Sequence, residues 1–124
     1  MSHTSLAIAP LYTRVAQQIL AKADIIHRID HAAFLAQAEK LTLREVVAQS
    51  QYVGHNGHRR LQLTLHYWPF SFDCFKGRFT GREHHLRALV SKGYLILVRQ
   101  STAGGTFTVN LKPLPTLAAG GFHA

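Results

Sequence analysis

The residues of this 124-residue chain with the widest chemical reach are its nine histidines and single cysteine. His55 and His58 have H-x-x-H spacing, Glu83, His84 and His85 are consecutive, and Cys74 lies between the two groups, so ligand types for a transition metal are present. Their spacing opposes a shared site, because adjacent His84 and His85 on a helix point about 100° apart. Catalysis finds as little to build on. The six acidic residues are scattered without a carboxylate pair, no Gly-rich phosphate loop occurs, and Cys74, set between Phe72 and Phe75, reads as a small core residue. The chain is therefore read as a non-enzyme, with no catalytic residue, metal ligand or cofactor assigned. A metal-dependent nuclease is kept as the third functional reading.

Charge gives the stronger lead. Fourteen Lys and Arg against six Asp and Glu give a net +8, with an isoelectric point near 10.3. The first 54 residues hold five basic and four acidic side chains, whereas residues 55–100 hold eight basic and two acidic ones and five of the histidines. Such a field in one half of a chain favours a polyanion. An apolar fraction of 47% describes a folded protein rather than a disordered tail. No apolar run approaches the roughly 20 residues of a membrane span, and the first residues lack the basic start of a secretory signal. One cysteine allows no internal disulfide, so a cytoplasmic location is expected.

The elements that would position these cations follow from periodicity. Leu11, Val15, Ile19 and Leu20 recur at helical spacing, Asp24 precedes a second stripe of Ile25, Ile26, Ile29, Ala33 and Phe34, and Thr42 with Glu45 has capping-box spacing before Val46 and Val47. "YVGHNG" at 52–57 marks a turn. The run 58–68 fits either an alternating strand or a helix with Leu61, Leu65 and Trp68 on one face, and is read as helix. Phe72, Phe75 and Phe79 suggest a short helix after Pro69. Thr80 and Glu83 repeat the capping-box spacing ahead of Leu86, Leu89 and Val90, with Gly93 as the stop. Two β-rich runs around "STAGG" then predict a hairpin.

This order, with "HHLRALVSKGYLILVRQ" and "STAGGTFTVNL" as its carrying residues, resembles the winged helix-turn-helix of bacterial regulators, the MarR-type and ArsR-type families above all. The expected fold is mainly α with a C-terminal β-hairpin: a helical extension over residues 1–51, a winged helix-turn-helix over 52–112 and a flexible tail over 113–124. The resemblance implies sequence-specific duplex DNA binding by a small transcriptional regulator, with the 80–92 helix in the major groove and the 94–111 wing beside it. Helical geometry turns His84 and Ser91 outward, with His85 and Arg87 on the flanks. The expected contact set is Arg78, Thr80, Arg82, His84, His85, Arg87, Ser91, Lys92 and Arg99. Arg87 would read a guanine edge, Arg78, Arg82 and Lys92 would meet phosphates, and Arg99 would act from the wing. Duplex DNA and a second copy of the chain, joined through the helices around Leu11 to Leu35, are the expected partners, without a membrane. The alternative is a winged module that binds a host protein, such as a mobile-element inhibitor of a host complex.

Overall fold

The computed structural model describes residues 3–54 and 58–116. It is an α+β fold of three helices and a six-stranded antiparallel sheet, which corrects the expectation of a mainly α winged helix-turn-helix. Helices α1 (His3–Asp30) and α2 (Gln37–Gln49) precede strands β1 (Gln51–Val53), β2 (Arg60–Trp68), β3 (Ser71–Cys74) and β4 (Gly77–Phe79). Helix α3 (Glu83–Ser91) and strands β5 (Leu95–Ser101) and β6 (Gly104–Val109) follow. The sheet runs β4-β3-β2-β6-β5, and β1 pairs the start of β2 on the edge that β3 pairs further along.

The two segments expected to be helical around Pro69 are strands, and the burial pattern explains why. In β2, Leu61, Leu63 and Leu65 are buried while Arg60, Thr64 and His66 are exposed, a period of two that a helix would scramble. In β3 and β4, Phe72 stands opposite Phe79 across a hairpin whose turn is Phe75–Lys76, so the helical spacing of the three phenylalanines is coincidental. With 71–79 a hairpin, no helix precedes α3 in a helix-turn-helix. The hairpin of β5 and β6 matches expectation, with Phe107 and Val109 buried, although Leu111 is exposed.

The first two helical segments are one continuous helix, so Asp24 caps nothing. Helix α2 begins five residues before Thr42, at Gln37, where the Ala36 N–H donates to the Glu39 carboxylate at 2.9 Å. Neither "T-x-R-E" start forms its expected box. Thr42 donates to the Ala38 carbonyl within α2, and the Thr80 N–H and hydroxyl donate to the two oxygens of Glu45, both at 2.8 Å. The acid of the first motif thus holds the threonine of the second and ties α2 to the approach of α3. Lys22 and Lys76 both donate to the Ala48 carbonyl, setting cations at the C-terminal end of α2, where backbone carbonyls lack helical partners.

Helix α3 ends as its sequence indicates. Gly93 takes φ +87, its N–H donates to the Val90 carbonyl, and the Tyr94 N–H reaches back to the Leu89 carbonyl, a Schellman closure. Leu86 and Leu89 enter a single core with Ile25, Ile29, Leu43, Val46, Val47 and the inner sheet face, and Leu114 belongs to the same core. The helices thereby cover one face of the sheet and leave the other open. The turn expected at 52–57 and the tail expected over 113–124 lie partly outside the described residues, and His55 lies wholly outside them.

Candidate nucleic-acid interface

The open face of the sheet is built from the polar half of the strand alternation. Thr64 and Thr106 face each other with hydroxyls 3.0 Å apart, and Gln62 donates to the Thr108 hydroxyl at 3.1 Å. Next along β2 come His66 and Trp68, with Asp73 opposite His66 and Arg78 opposite Asp73 across the sheet. On the far side a β-bulge decides the composition. The register shifts between Leu97 and Arg99, so Val98 has no partner and Arg99 stands opposite Thr106. Without that extra residue, Arg99 would fall on the apolar inner face. Gly104, opposite His66, brings the backbones close: a Cβ there would lie 2.2 Å from the Leu65 carbonyl oxygen.

At one end of this face, β2 turns into β3 through Pro69–Phe70. Phe70 is the one non-glycine among the described residues with positive φ, at +67°, and it is fully exposed. A left-handed bulky residue costs about 1–3 kcal/mol, and this turn position ordinarily takes glycine or asparagine. Trp68, at 56% exposure, stands beside it. Together they border a groove of about 700 Å³ that reaches round to the inner side of the sheet, its lining including inward-facing Tyr67, Phe72 and Phe79 as well as Arg78, Thr80, Arg82 and Glu83. Burial, and next the nearby Glu83 carboxylate, raise the Tyr67 phenol above its ordinary pKa, so it remains a proton donor across the neutral range.

The nine residues expected to touch DNA divide among separate places. Arg78, Thr80 and Arg82 converge on this groove, Arg78 from β4 and Arg82 from the N-cap of α3. Arg99 lines a cleft of about 260 Å³ with Thr64, His66, Ser101 and Thr106 on the open face. His84 is exposed and its ring lies against that of half-buried His85, with centroids 4.0 Å apart and planes tilted by 48°. Arg87 is bonded to Glu83 at 3.0 Å. Ser91 and Lys92 lie at the opposite end of α3, where the Lys92 ammonium meets the Glu39 carboxylate at 2.6 Å and the Phe34 carbonyl at 3.2 Å. Those two bonds commit Lys92 to joining α3 to the start of α2.

Arg60, His66, Trp68 and Phe70 were not among the expected contacts. The signal for Arg60, His66 and Trp68 was the alternation Arg60, Gln62, Thr64, His66, Trp68 against Leu61, Leu63, Leu65, Tyr67, which becomes informative once the run is a strand. Among the described residues, no three His, Cys, Asp or Glu side chains gather where they would hold a metal ion. Cys74 is buried and its thiol donates to the Gln49 side-chain oxygen. No described helix is long and apolar enough to cross a membrane. Comparison of the chain with protein-family models, curated proteins and solved structures gives no match.

Proposed function

We propose that the chain binds nucleic acid, with the open sheet face as platform and the groove beneath the Pro69–Phe70 turn as principal contact. The observation that carries this reading is the strained, fully exposed Phe70 beside exposed Trp68, bordered by Arg78 and Arg82, which have no salt-bridge partner among the described residues. Aromatic faces stack on bases, and free guanidinium groups bind the phosphates between them. The net charge of +8 adds long-range attraction. Because the aromatic rings stand in the open rather than on a groove-shaped helix, unpaired bases are the better ligand. Duplex DNA is held by the same cations through its backbone alone.

Fluorescence anisotropy with a labelled mixed-sequence single strand and its duplex, over a salt series, tests the proposal. The expected result is log-linear weakening with salt for both ligands and tighter binding of the single strand. Absence of binding at low salt would refute the reading. A second copy of the chain is the proposed protein partner, since α1 displays Val15, Ile19 and Leu20 at 46%, 62% and 67% exposure. Analytical ultracentrifugation of wild type and Ile19→Glu checks it: the wild type is expected to sediment as a dimer and the variant as a monomer.

A further inference from the structure

Strands β1 and β3 lie on the same edge of β2 but leave a gap between them. Strand β1 pairs β2 as far as Gln62, opposite Gln51, and β3 begins at His66, opposite Asp73. The other edge shows how the main chain is turned in that gap. The Tyr67 N–H donates at 2.9 Å to the carbonyl of Ala103, the residue before β6, so odd-numbered residues of β2 aim their N–H and C=O at β6. Even-numbered residues aim theirs at the edge shared by β1 and β3. Those of Gln62 and His66 are covered by the two strands. Thr64, between them, has no strand residue opposite it on this edge, and its N–H and C=O find no backbone partner there among the described residues. The chain departs on both sides, into α2 at Gln49 and into the β3–β4 turn at Phe75.

The gap opens into a cleft of about 220 Å³ lined by Gln49, Gln51, Gln62, Thr64, His66 and Phe75. Leu63 lines it too, although its side chain is buried on the inner face, so the cleft reaches the edge of the strand itself. Phe75 holds its ring 79% exposed, while its turn neighbour Lys76 is drawn away to the Ala48 carbonyl. Gln51 is exposed and its amide makes no bond among the described residues. A donor and an acceptor side by side on one residue, next to an aromatic ring, match the edge and the face of a nucleobase, since each base carries a donor beside an acceptor. A peptide strand matches less well, because strand addition needs a row of main-chain bonds and this gap offers one residue. We propose, resting on the nucleic-acid reading above, that the notch at Thr64 holds one unpaired base, bonded to the Thr64 main chain and the Gln51 amide and stacked on Phe75. It is a second base site, about 13 Å along β2 from Trp68. Because main-chain groups accept any base, it adds affinity without sequence preference.

The test is amide hydrogen exchange, read residue by residue on the isotopically labelled full chain, alone and saturated with the mixed-sequence single strand at low salt. In the free chain Thr64 is expected to exchange fast between protected Gln62 and His66, and in the complex to slow by at least about tenfold. Phe75→Ser, at an exposed turn position, should weaken the strand about five- to tenfold and abolish the slowing at Thr64. Phe70→Gly, which acts at the groove, should weaken binding yet keep that slowing at saturation. Wild-type affinity in Phe75→Ser, with Thr64 exchanging fast in the complex, would overturn the notch and leave the groove as the interface. Absence of any binding would instead refute the nucleic-acid reading and the notch with it. Slow exchange at Thr64 in the strand-free chain, increasing with protein concentration, would overturn the base site in favour of a neighbouring copy of the chain.

Discussion

Helix α3 and the hairpin of β3 and β4 lie next to each other and carry similar cations, yet they hold them differently. On α3, Arg87 is bonded to Glu83 and Lys92 to Glu39 and the Phe34 carbonyl. In the hairpin and the loop after it, Arg78 and Arg82 line a groove and form no salt bridge among the described residues, beside two aromatic rings kept in solvent. A count of charges along the sequence treats the two regions alike. Free valence distinguishes them: a cation that already has a carboxylate and a carbonyl is part of the fold, whereas one without them remains available to a phosphate.

The difference can be broken most forcefully at Phe70. Phe70→Gly is expected to cost about 1–3 kcal/mol of single-strand affinity. Its folded state should be equally stable or up to about 1 kcal/mol more stable, because glycine accepts positive φ without strain. Anisotropy and thermal unfolding of one preparation measure both, and a fall in stability with unchanged binding would make Phe70 a structural residue. Next in size is Arg78→Ala combined with Arg82→Ala. Binding should weaken by about tenfold at low salt, and the slope against log salt should become shallower by about 1–2.

Glu39→Gln probes the committed side. Its carboxyl is held below its ordinary pKa first by the hydrogen bond from Lys92 and then by the one from the Ala36 N–H. A depressed carboxyl contributes stability that is complete above the ordinary value of 4.5 and is lost as pH falls through the folded value. Acid titration of the unfolding midpoint should therefore show a smaller drop below that pH in the variant, which is also expected to be less stable at neutral pH by about 1 kcal/mol. The smallest effect is assigned to Arg87→Ala, with less than about a twofold change in binding. A larger loss there than in the Arg78, Arg82 pair would invert the comparison and return the interface to α3.

The parts of the fold legible in the sequence are those fixed by neighbours in the chain. Gly93 stops α3 through bonds to Leu89 and Val90, and the run from Leu95 to Val109 shows its hairpin in its own alternation. The parts that were not legible are settled at a distance. Leu61, Leu65 and Trp68 fit a helical face as well as a strand, and β6, far along the chain, decides between them by pairing Leu63 with Phe107 and Leu65 with Gly105. The cap spacing at Thr80 and Glu83 misleads for the same reason, since Glu45 from another helix takes the threonine. Of the site, the basic residues 78–82 and Arg99 were visible as charge. Phe70 was not, because positive φ at a phenylalanine leaves no mark in composition or period.

The pairing of β2 with β6 also has a consequence in time. The β3–β4 hairpin and the β5–β6 hairpin close over short stretches of chain, while the Thr64–Thr106 contact spans 42 residues and encloses both of them and α3. Closing so long a loop is entropically slow, so this joint belongs late in folding. The open face straddles it, with His66, Trp68 and Arg78 on one side and Arg99 and Thr106 on the other. A nascent chain that has finished both hairpins carries the full positive charge but has not assembled its two banks into one surface. On the proposed reading, recognition that needs the whole platform would be acquired only when this joint closes, after the charge itself is in place.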